Sequence, residues 1–171
     1  MNGTNGKNAD CPVLEQNIAA MDDPDFAKDI IRTNQRVREK EPNRLNNMIG
    51  LTLLNCSRKD QFTEFEFVPD DWCRNGYEGV HGGVISSVFD TGMGLTSEVY
   101  TQKFVSTSSL QISFLRAMLG SRFRLKVRLT HVGRRVVNLY GEISDMKDEK
   151  ICANCLGTFM ILPSRPRGLQ L

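Results

Sequence analysis

The chain has 171 residues, which suggests one domain with a sizeable hydrophobic core. It is 40% apolar and 25% charged, as ordinary soluble globular proteins are. The formal net charge of +2 is too small to indicate nucleic-acid binding by itself, and no apolar run is long enough to cross a bilayer. Because the N-terminus lacks the apolar core of a signal peptide, we expect a cytoplasmic protein.

The N-terminal part is predicted to contain a tail and one helix. Residues 1–22 are polar, with repeated Asn and Gly, and are expected to be mobile. Asp23 followed by Pro24 is typical of a helix start, and the helix is predicted to run to about Lys40. We interpret residues 23–45 as a peripheral helix that packs on the main body.

Residues 46–163 are predicted to form the main domain. One long helix follows a His-Gly-Gly turn after Val80, and the apolar alternation around it indicates strands at residues 46–55, 61–68, 104–118, 122–130, 135–146 and 151–162. Short turns between the later strands require antiparallel neighbours, and only the long helix is apolar enough to cover the sheet. We therefore predict an α+β fold, an antiparallel sheet wrapped around one long central helix with an extra N-terminal helix, and a frayed tail at residues 164–171.

The five cysteines are interpreted as structural thiols. An odd number at irregular spacing, without a signal peptide, argues against a disulfide framework. Cys152 and Cys155 form one CxxC in a predicted strand, where residues three apart point to opposite faces. A zinc site would need two further ligands, and only His81 and His131 are available. We predict no metal and no cofactor.

The long helix carries a stripe of small and polar residues among its apolar ones. Their 4-3-4-3 spacing puts them on one face: Gly83, Ser87, Asp90, Gly94 and Ser97. A lone carboxylate on such a face is costly unless something satisfies or uses it. The glycines at the helix start leave backbone N–H groups unpaired, and these can hold an oxygen that becomes negative during a reaction.

One copy of this helix cannot supply a complete site. Gly82 and Asp90 are eight residues apart, or roughly 12 Å along the axis. An oxyanion donor and a base that act on one carbonyl should each lie about 3 Å from the reacting atoms. Two antiparallel copies side by side satisfy both requirements. We therefore infer a homodimer with two equivalent sites at its interface.

Three segments resemble one known family. The motif residues Asn75, His81, Gly82, Gly83 and Asp90 follow the spacing of hotdog-fold acyl-CoA thioesterases of the phenylacetate-pathway type. Residues 107–116 resemble that family's third strand, and residues 133–135 resemble its hairpin turn. The similarity covers about residues 50–162. It implies the hotdog fold and hydrolysis of an acyl-CoA thioester.

The resemblance also implies roles for individual residues. Gly82 would donate its N–H to the thioester carbonyl, and Asn75 would help to place that carbonyl. His81 would order the turn. Asp90 from the partner chain would activate the hydrolytic water or attack directly, and Thr107 lies where many members position that water.

Further substrate contacts are expected at four positions. Gly83 lies beside the oxyanion donor, and Ser109 stands where the family frequently has Asp. Arg134 and Arg135, at the hairpin turn, are candidates for the phosphates of coenzyme A. The neighbouring basic strand that contains Arg124 is interpreted as a solvated sheet face.

The predicted function is hydrolysis of an acyl-CoA to free acid and CoA by a homodimer or homotetramer, without nucleic-acid or membrane partners. Two alternatives stay open: a non-catalytic acyl-CoA-binding hotdog module, and a hotdog dehydratase of 3-hydroxyacyl thioesters. Asp90 also has a structural alternative, as a capped or paired acid. Acyl length, aromaticity and the choice between general base and nucleophile are left open.

Overall fold

The computed structural model describes residues 18–40 and 44–164, with the side chains of residues 37–40 outside that description. Predictions for most of the N-terminal tail and for residues 165–171 therefore lie outside the described residues. Within them the helices are α1 (Pro24–Lys40), α2 (Leu45–Ile49) and α3 (Gly82–Thr101). The strands are β1 (Thr52–Ser57), β2 (Phe62–Phe67), β3 (Val105–Phe114), β4 (Phe123–Val132), β5 (Val136–Asp145) and β6 (Ile151–Ile161).

The described strands form one antiparallel sheet in the order β1-β2-β4-β5-β6-β3. β1 and β3 are its edges. α3 packs against the inner face and contacts β2, β3, β4, β5 and β6. The predicted architecture, an antiparallel sheet around one long helix, is therefore confirmed.

Close packing between α3 and the sheet depends on the absence of side chains at the contact. Phe89 and Met93 of α3 are fully buried. A Cβ on Gly92 would collide with the Leu125 side chain, and one on Gly141 would lie 2.7 Å from Cε of Met93. Because a Cβ at either position would force its neighbours apart, glycine lets the helix and the sheet approach closely.

The N-terminal helix has the predicted bounds and the predicted cap. Oδ1 of Asp23 accepts a hydrogen bond from the Phe26 N–H at 3.0 Å. Phe26 and Ile30 are buried, and α1 packs on both α3 and β1. Just before it, Met21 is buried and Asp22 exchanges hydrogen bonds with Asn55. The division into tail, helix and main domain stays a prediction.

The strand predicted at residues 46–55 was wrong in its first half. Residues 45–49 form α2, and β1 begins only at Thr52. Gly50 adopts a left-handed conformation with φ of 63°, and its N–H points back to the carbonyl of Asn46 at 3.4 Å. This is a helix C-cap, which glycine tolerates without strain. The apolar run that suggested one strand is therefore shared between a short helix and a strand.

Three basic residues at the start of β4 and just before it form ion pairs with carboxylates. Arg122 and Lys126 pair with Glu66 and Glu64 of β2 at 2.5 and 2.6 Å. Arg124 pairs with Glu149 at 3.0 Å. These basic residues are thus ion-paired on the outer face of the sheet. This agrees with the interpretation of the basic strand as a solvated sheet face.

Candidate active site

The start of α3 presents an unpaired backbone donor. His81 is the N-cap, and its Nδ1 accepts a hydrogen bond from the Gly83 N–H at 3.0 Å. The His81 carbonyl accepts from Val84 and Ile85. Among the described residues, none accepts a hydrogen bond from the Gly82 N–H. Because the helix dipole adds positive charge there, this N–H can bind a carbonyl oxygen.

Asn75 lies in the loop that leads to this helix end. Its N–H donates to the Gly79 carbonyl at 2.8 Å, and its Oδ1 accepts from the Tyr77 N–H at 2.8 Å. Asn75 and Gly82 line one cleft of about 330 Å³. The other walls of that cleft are mainly apolar: Val80, Ile85, Phe114, Leu115, Ala117 and Met118. The predicted grouping of Asn75 with Gly82 is present in a single chain.

Asp90 lines a different cleft, of about 320 Å³. Its Oδ1 accepts a hydrogen bond of 2.6 Å from the Thr107 hydroxyl. The side chain is partly accessible to solvent, in the middle of α3. The carboxylate and the hydroxyl, which were predicted separately, are therefore brought together, and the hydroxyl holds one carboxylate oxygen in place.

A bulge in β3 creates this contact. Thr107 is opposite the buried Phe159, whereas Ser109 is opposite Thr158, so Ser108 is an extra residue in the strand. In a regular strand, residues 107 and 109 would share a face. The bulge turns Thr107 towards α3 and leaves Ser109 on the outer face of the sheet.

The two clefts are separate in one chain. They have no lining residue in common. Gly82 and Asp90 lie roughly 12 Å apart along α3, as eight residues of helix require. Of the remaining predicted residues, Gly83 is exposed beside His81, and the β4–β5 turn that holds Arg134 and Arg135 lines neither cleft.

The fold and these motifs match known proteins. The model of the Thioesterase superfamily matches residues 77–152. No curated protein matches the sequence. A conserved protein from Pseudomonas aeruginosa is 26% identical, with a TM-score of 0.64 over 73% of this chain and 98% of that one.

Two further solved structures are similar. A phenylacetic acid degradation-related protein from Ralstonia eutropha JMP134 is 25% identical, with a TM-score of 0.63 over 75% of this chain and 98% of that one. A Streptococcus mutans UA159 protein bound to acetyl CoA is 20% identical, with a TM-score of 0.61 over 68% and 92% of the two chains. The chain has the hotdog fold, and its residues 77–152 are similar to the Thioesterase superfamily. The recognition made from its motifs is confirmed.

In this hotdog domain, sequence reasoning missed the polar lining of the Asp90 cleft. Thr33 and Asn34 come from α1, Asn46 from α2, and Glu98 from α3. Burial raises the pKa of the Glu98 carboxyl, and the positive charge of Arg36 opposes that rise. Only one signal was available: Glu98 follows Asp90 by eight residues and Gly94 by four, so it continues the accessible side of the helix.

The cysteines contribute no reactive thiol to the hotdog site. Cys56, Cys73, Cys152 and Cys155 are free and buried, and Cys11 lies outside the described residues. Burial raises the pKa of Cys155 to about 11, so the thiol stays protonated at neutral pH. Cys152 and Cys155 were predicted to point to opposite faces of a regular strand. The pairing of β5 with β6 is irregular at residues 151–153, so the side chains do not alternate regularly there. In the described part of the chain, no three His, Cys, Asp or Glu residues are grouped to hold a metal.

One negative result concerns membranes. No helix among the described residues is both long and apolar enough to span a bilayer.

Proposed function

We propose that this hotdog protein hydrolyses an acyl-CoA thioester to free acid and CoA at a site shared between two subunits. The observation that carries the proposal is the separation of Gly82 and Asp90 into two clefts of one chain. Each cleft holds half of the chemistry that a thioester needs, an oxyanion donor or a carboxylate. A second copy of the chain supplies the missing half.

The expected reaction follows from these groups. The Gly82 N–H binds the thioester oxygen and stabilises the negative charge that develops on it. Asp90 of the partner subunit takes a proton from water while the water oxygen bonds to the carbonyl carbon, or it attacks that carbon itself and water then cleaves the anhydride. The carbon–sulfur bond breaks, and the CoA thiolate leaves and takes up a proton. Thr107 orients Asp90 throughout.

The remaining predicted residues have supporting roles in this proposal. Asn75 borders the oxyanion donor and helps to place the carbonyl. His81 orders the turn, because its Nδ1 already caps the helix by accepting from Gly83. Because Nδ1 is the acceptor in this bond, the neutral ring carries its hydrogen on Nε2. Nε2 then cannot take a proton from a substrate, which argues against His81 as the base of a dehydratase.

Two features of the fold favour a homodimer. β3 is an edge strand whose residues are mostly exposed, so its outer backbone groups can pair with a second copy. Along α3, Gly83, Ser87 and Gly94 stay accessible, which allows another helix to approach closely. Ser97, the last residue of the predicted stripe, is buried. A homotetramer would be built from two such dimers.

The proposal is tested by mixing two inactive variants. Asp90→Asn removes the carboxylate, and Gly82→Pro removes the amide hydrogen. Mixed dimers of the two combine Gly82 of one subunit with Asp90 of the other, so one of their two sites is intact. Random reassociation should restore about a quarter of the wild-type rate of thiol release from an acyl-CoA.

The control is each variant subjected to the same dissociation and mixing with itself. Activity that stays at the level of the single variants in proven mixed dimers would place the whole site within one chain. Binding of acyl-CoA by the wild type without any turnover would favour the non-catalytic binding module.

A further inference from the structure

A second groove continues from the Asp90 cleft. It has a volume of about 310 Å³ and lies between α1 and the C-terminal end of α3. Thr33 and Glu98 line both the groove and the cleft, so the two adjoin along α3. A ligand at Asp90 therefore has a path along α3, roughly 12 Å to Glu98 and further to Lys103.

This path changes in chemistry along its length. Near Asp90 the walls mix uncharged polar and apolar side chains: Thr33, Asn34 and Asn46 with Leu95, Val105 and Phe159. Asn34 Nδ2 donates to the Leu51 carbonyl at 3.2 Å, which fixes the side chain at the wall. Beyond Glu98 the walls become charged. A ligand that extends from Asp90 along this path therefore meets the carboxylate first, then uncharged side chains, and then the charged side chains of the groove.

The cations at the far end differ in their partners. Arg32 pairs with Asp29 at 2.7 Å. Arg36 and Lys103 form no ion pair with a carboxylate of residues 18–36 or 44–164. Both side chains are exposed and line the groove, so they are available to an anion.

The carboxylates of the groove oppose an anion only in part. Asp29 is neutralised by Arg32 and also approaches Arg58 at 3.8 Å. Burial raises the pKa of Glu98, which favours its uncharged form, although the charge of Arg36 works in the other direction. The described lining holds three cations, Arg32, Arg36 and Lys103, against the two carboxylates, so positive charge is in excess.

The β4–β5 turn lies at the same end of the sheet. The Ile161 N–H donates to the Arg135 carbonyl at 2.8 Å, and Ile161 pairs with Val105 at the start of β3. Lys103 precedes Val105 by two residues. Lys103 of the groove and the Arg134–Arg135 turn therefore lie at the same end of the sheet.

The opposite side of the shared site is mainly apolar, and Arg116 is the one charged residue among its described lining residues. The Gly82 cleft has Phe114, Leu115 and Met118 in its walls. A thioester that binds between Gly82 of one subunit and Asp90 of the other must send one half in each direction. The amides, hydroxyl and phosphates of CoA match the polar path, and an acyl group matches the apolar cleft.

We propose that the CoA half of the substrate lies along the groove between α1 and α3, where Arg36 and Lys103 bind its phosphates. The acyl group then occupies the apolar Gly82 cleft of the other subunit. This orientation rests on the proposed function for its reacting centre, but binding of CoA along the groove does not require turnover. The N-terminal helix is thereby part of the substrate site.

The test is calorimetric titration with two probes that cannot be hydrolysed. S-octyl-CoA carries the phosphates, and S-octyl-pantetheine lacks them. The double variant Arg36→Gln/Lys103→Gln should bind S-octyl-CoA at least about tenfold more weakly than the wild type, as expected for lost charge-assisted contacts. Its affinity for S-octyl-pantetheine should equal that of the wild type.

The matched control is Arg128→Gln/Lys147→Gln. It removes the same two residue types from exposed positions on the outer face of β4 and in the β5–β6 turn. This variant should bind S-octyl-CoA as the wild type does. Circular dichroism verifies that both variants are folded.

Three results would overturn the proposed orientation. They are wild-type affinity of the Arg36/Lys103 variant for S-octyl-CoA, equal weakening by the control variant, and equal weakening for the phosphate-free probe. Failure of the wild type to bind S-octyl-CoA would overturn it as well. If the wild type binds S-octyl-CoA, the groove variant does not, and no acyl-CoA is hydrolysed, the proposed function fails while the CoA site stands.

Discussion

The Gly82 amide can be removed with little disturbance to the helix that carries it. Gly82 is the first residue of α3, where the N–H has no helical partner and proline is well tolerated. The preceding His81 has φ of −63° and ψ of 137°, which is the conformation that a following proline requires. A Cβ at position 82 would meet only the Phe114 ring, at 3.5 Å, an ordinary contact distance. Gly82→Pro is therefore expected to fold.

The expected loss is that of one oxyanion donor. Removal of such a donor costs about 3 kcal/mol of transition-state stabilisation, or about 10²- to 10³-fold in kcat. Gly82→Ala is the matched comparison, because it adds the Cβ and keeps the N–H. Its loss should be less than about tenfold, since an added Cβ only crowds the cleft.

The assay is thiol release from a panel of aryl and medium-chain acyl-CoAs, with kcat and KM measured separately. Thermal unfolding of both variants reports whether the helix start is intact. Equal kcat values for Gly82→Pro and Gly82→Ala, in two proteins of equal stability, would show that the Gly82 N–H is not the donor. The mechanism would then need a different oxyanion site.

Three further outcomes are expected. Thr107→Val should lower kcat by about tenfold, because the charge-assisted hydrogen bond to Asp90 is lost. Thr107→Ser keeps the hydroxyl and should keep most of the wild-type kcat, so equal rates in the two variants would refute the positioning role of Thr107. Gly92→Ala should cost about 1–3 kcal/mol in urea unfolding, because its Cβ meets Leu125 in the core, whereas Gly94→Ala, whose Cβ lies 3.4 Å from Phe159, should cost less. Burial raises the pKa of Glu98 in the folded state above its ordinary value of 4.5. The stability of the wild type therefore falls as pH rises from 4.5 through that raised pKa. Glu98→Gln should remove this fall, and urea unfolding at about pH 4 and about pH 7 should show a larger advantage of the variant at the higher pH.

The order of elements was readable because their patterns are local. Strict alternation of Arg and Lys with apolar residues predicted β4, and Asp23 with Pro24 predicted the start of α1. The short helix α2 was missed because its five residues span little more than one turn, too short for a periodic pattern. The helix ends at Gly50, which adopts the left-handed conformation. A glycine in that conformation also occurs in a β-bulge, so it does not by itself indicate a helix end.

The site was predictable only in part. The proposal of a site shared by two chains followed from helix geometry, since eight residues of rise separate Gly82 from Asp90. The family resemblance predicted Thr107 only as a residue that positions water. Its contact with Asp90 was not predicted, because strand alternation alone would have placed Thr107 beside Ser109. The bulge at Ser108 that turns it inward has no unique signal in the residues themselves.

The sequence by itself determined most elements of this protein, the burial of its central helix and the separation of Gly82 from Asp90 along that helix. These properties depend on residue spacing along a single element. The tertiary structure alone decided which side chains border Asp90, because α1, α2 and β3 meet there from distant parts of the chain. The polar path beyond Asp90 is therefore a property of packing between elements, which no single stretch of sequence encodes.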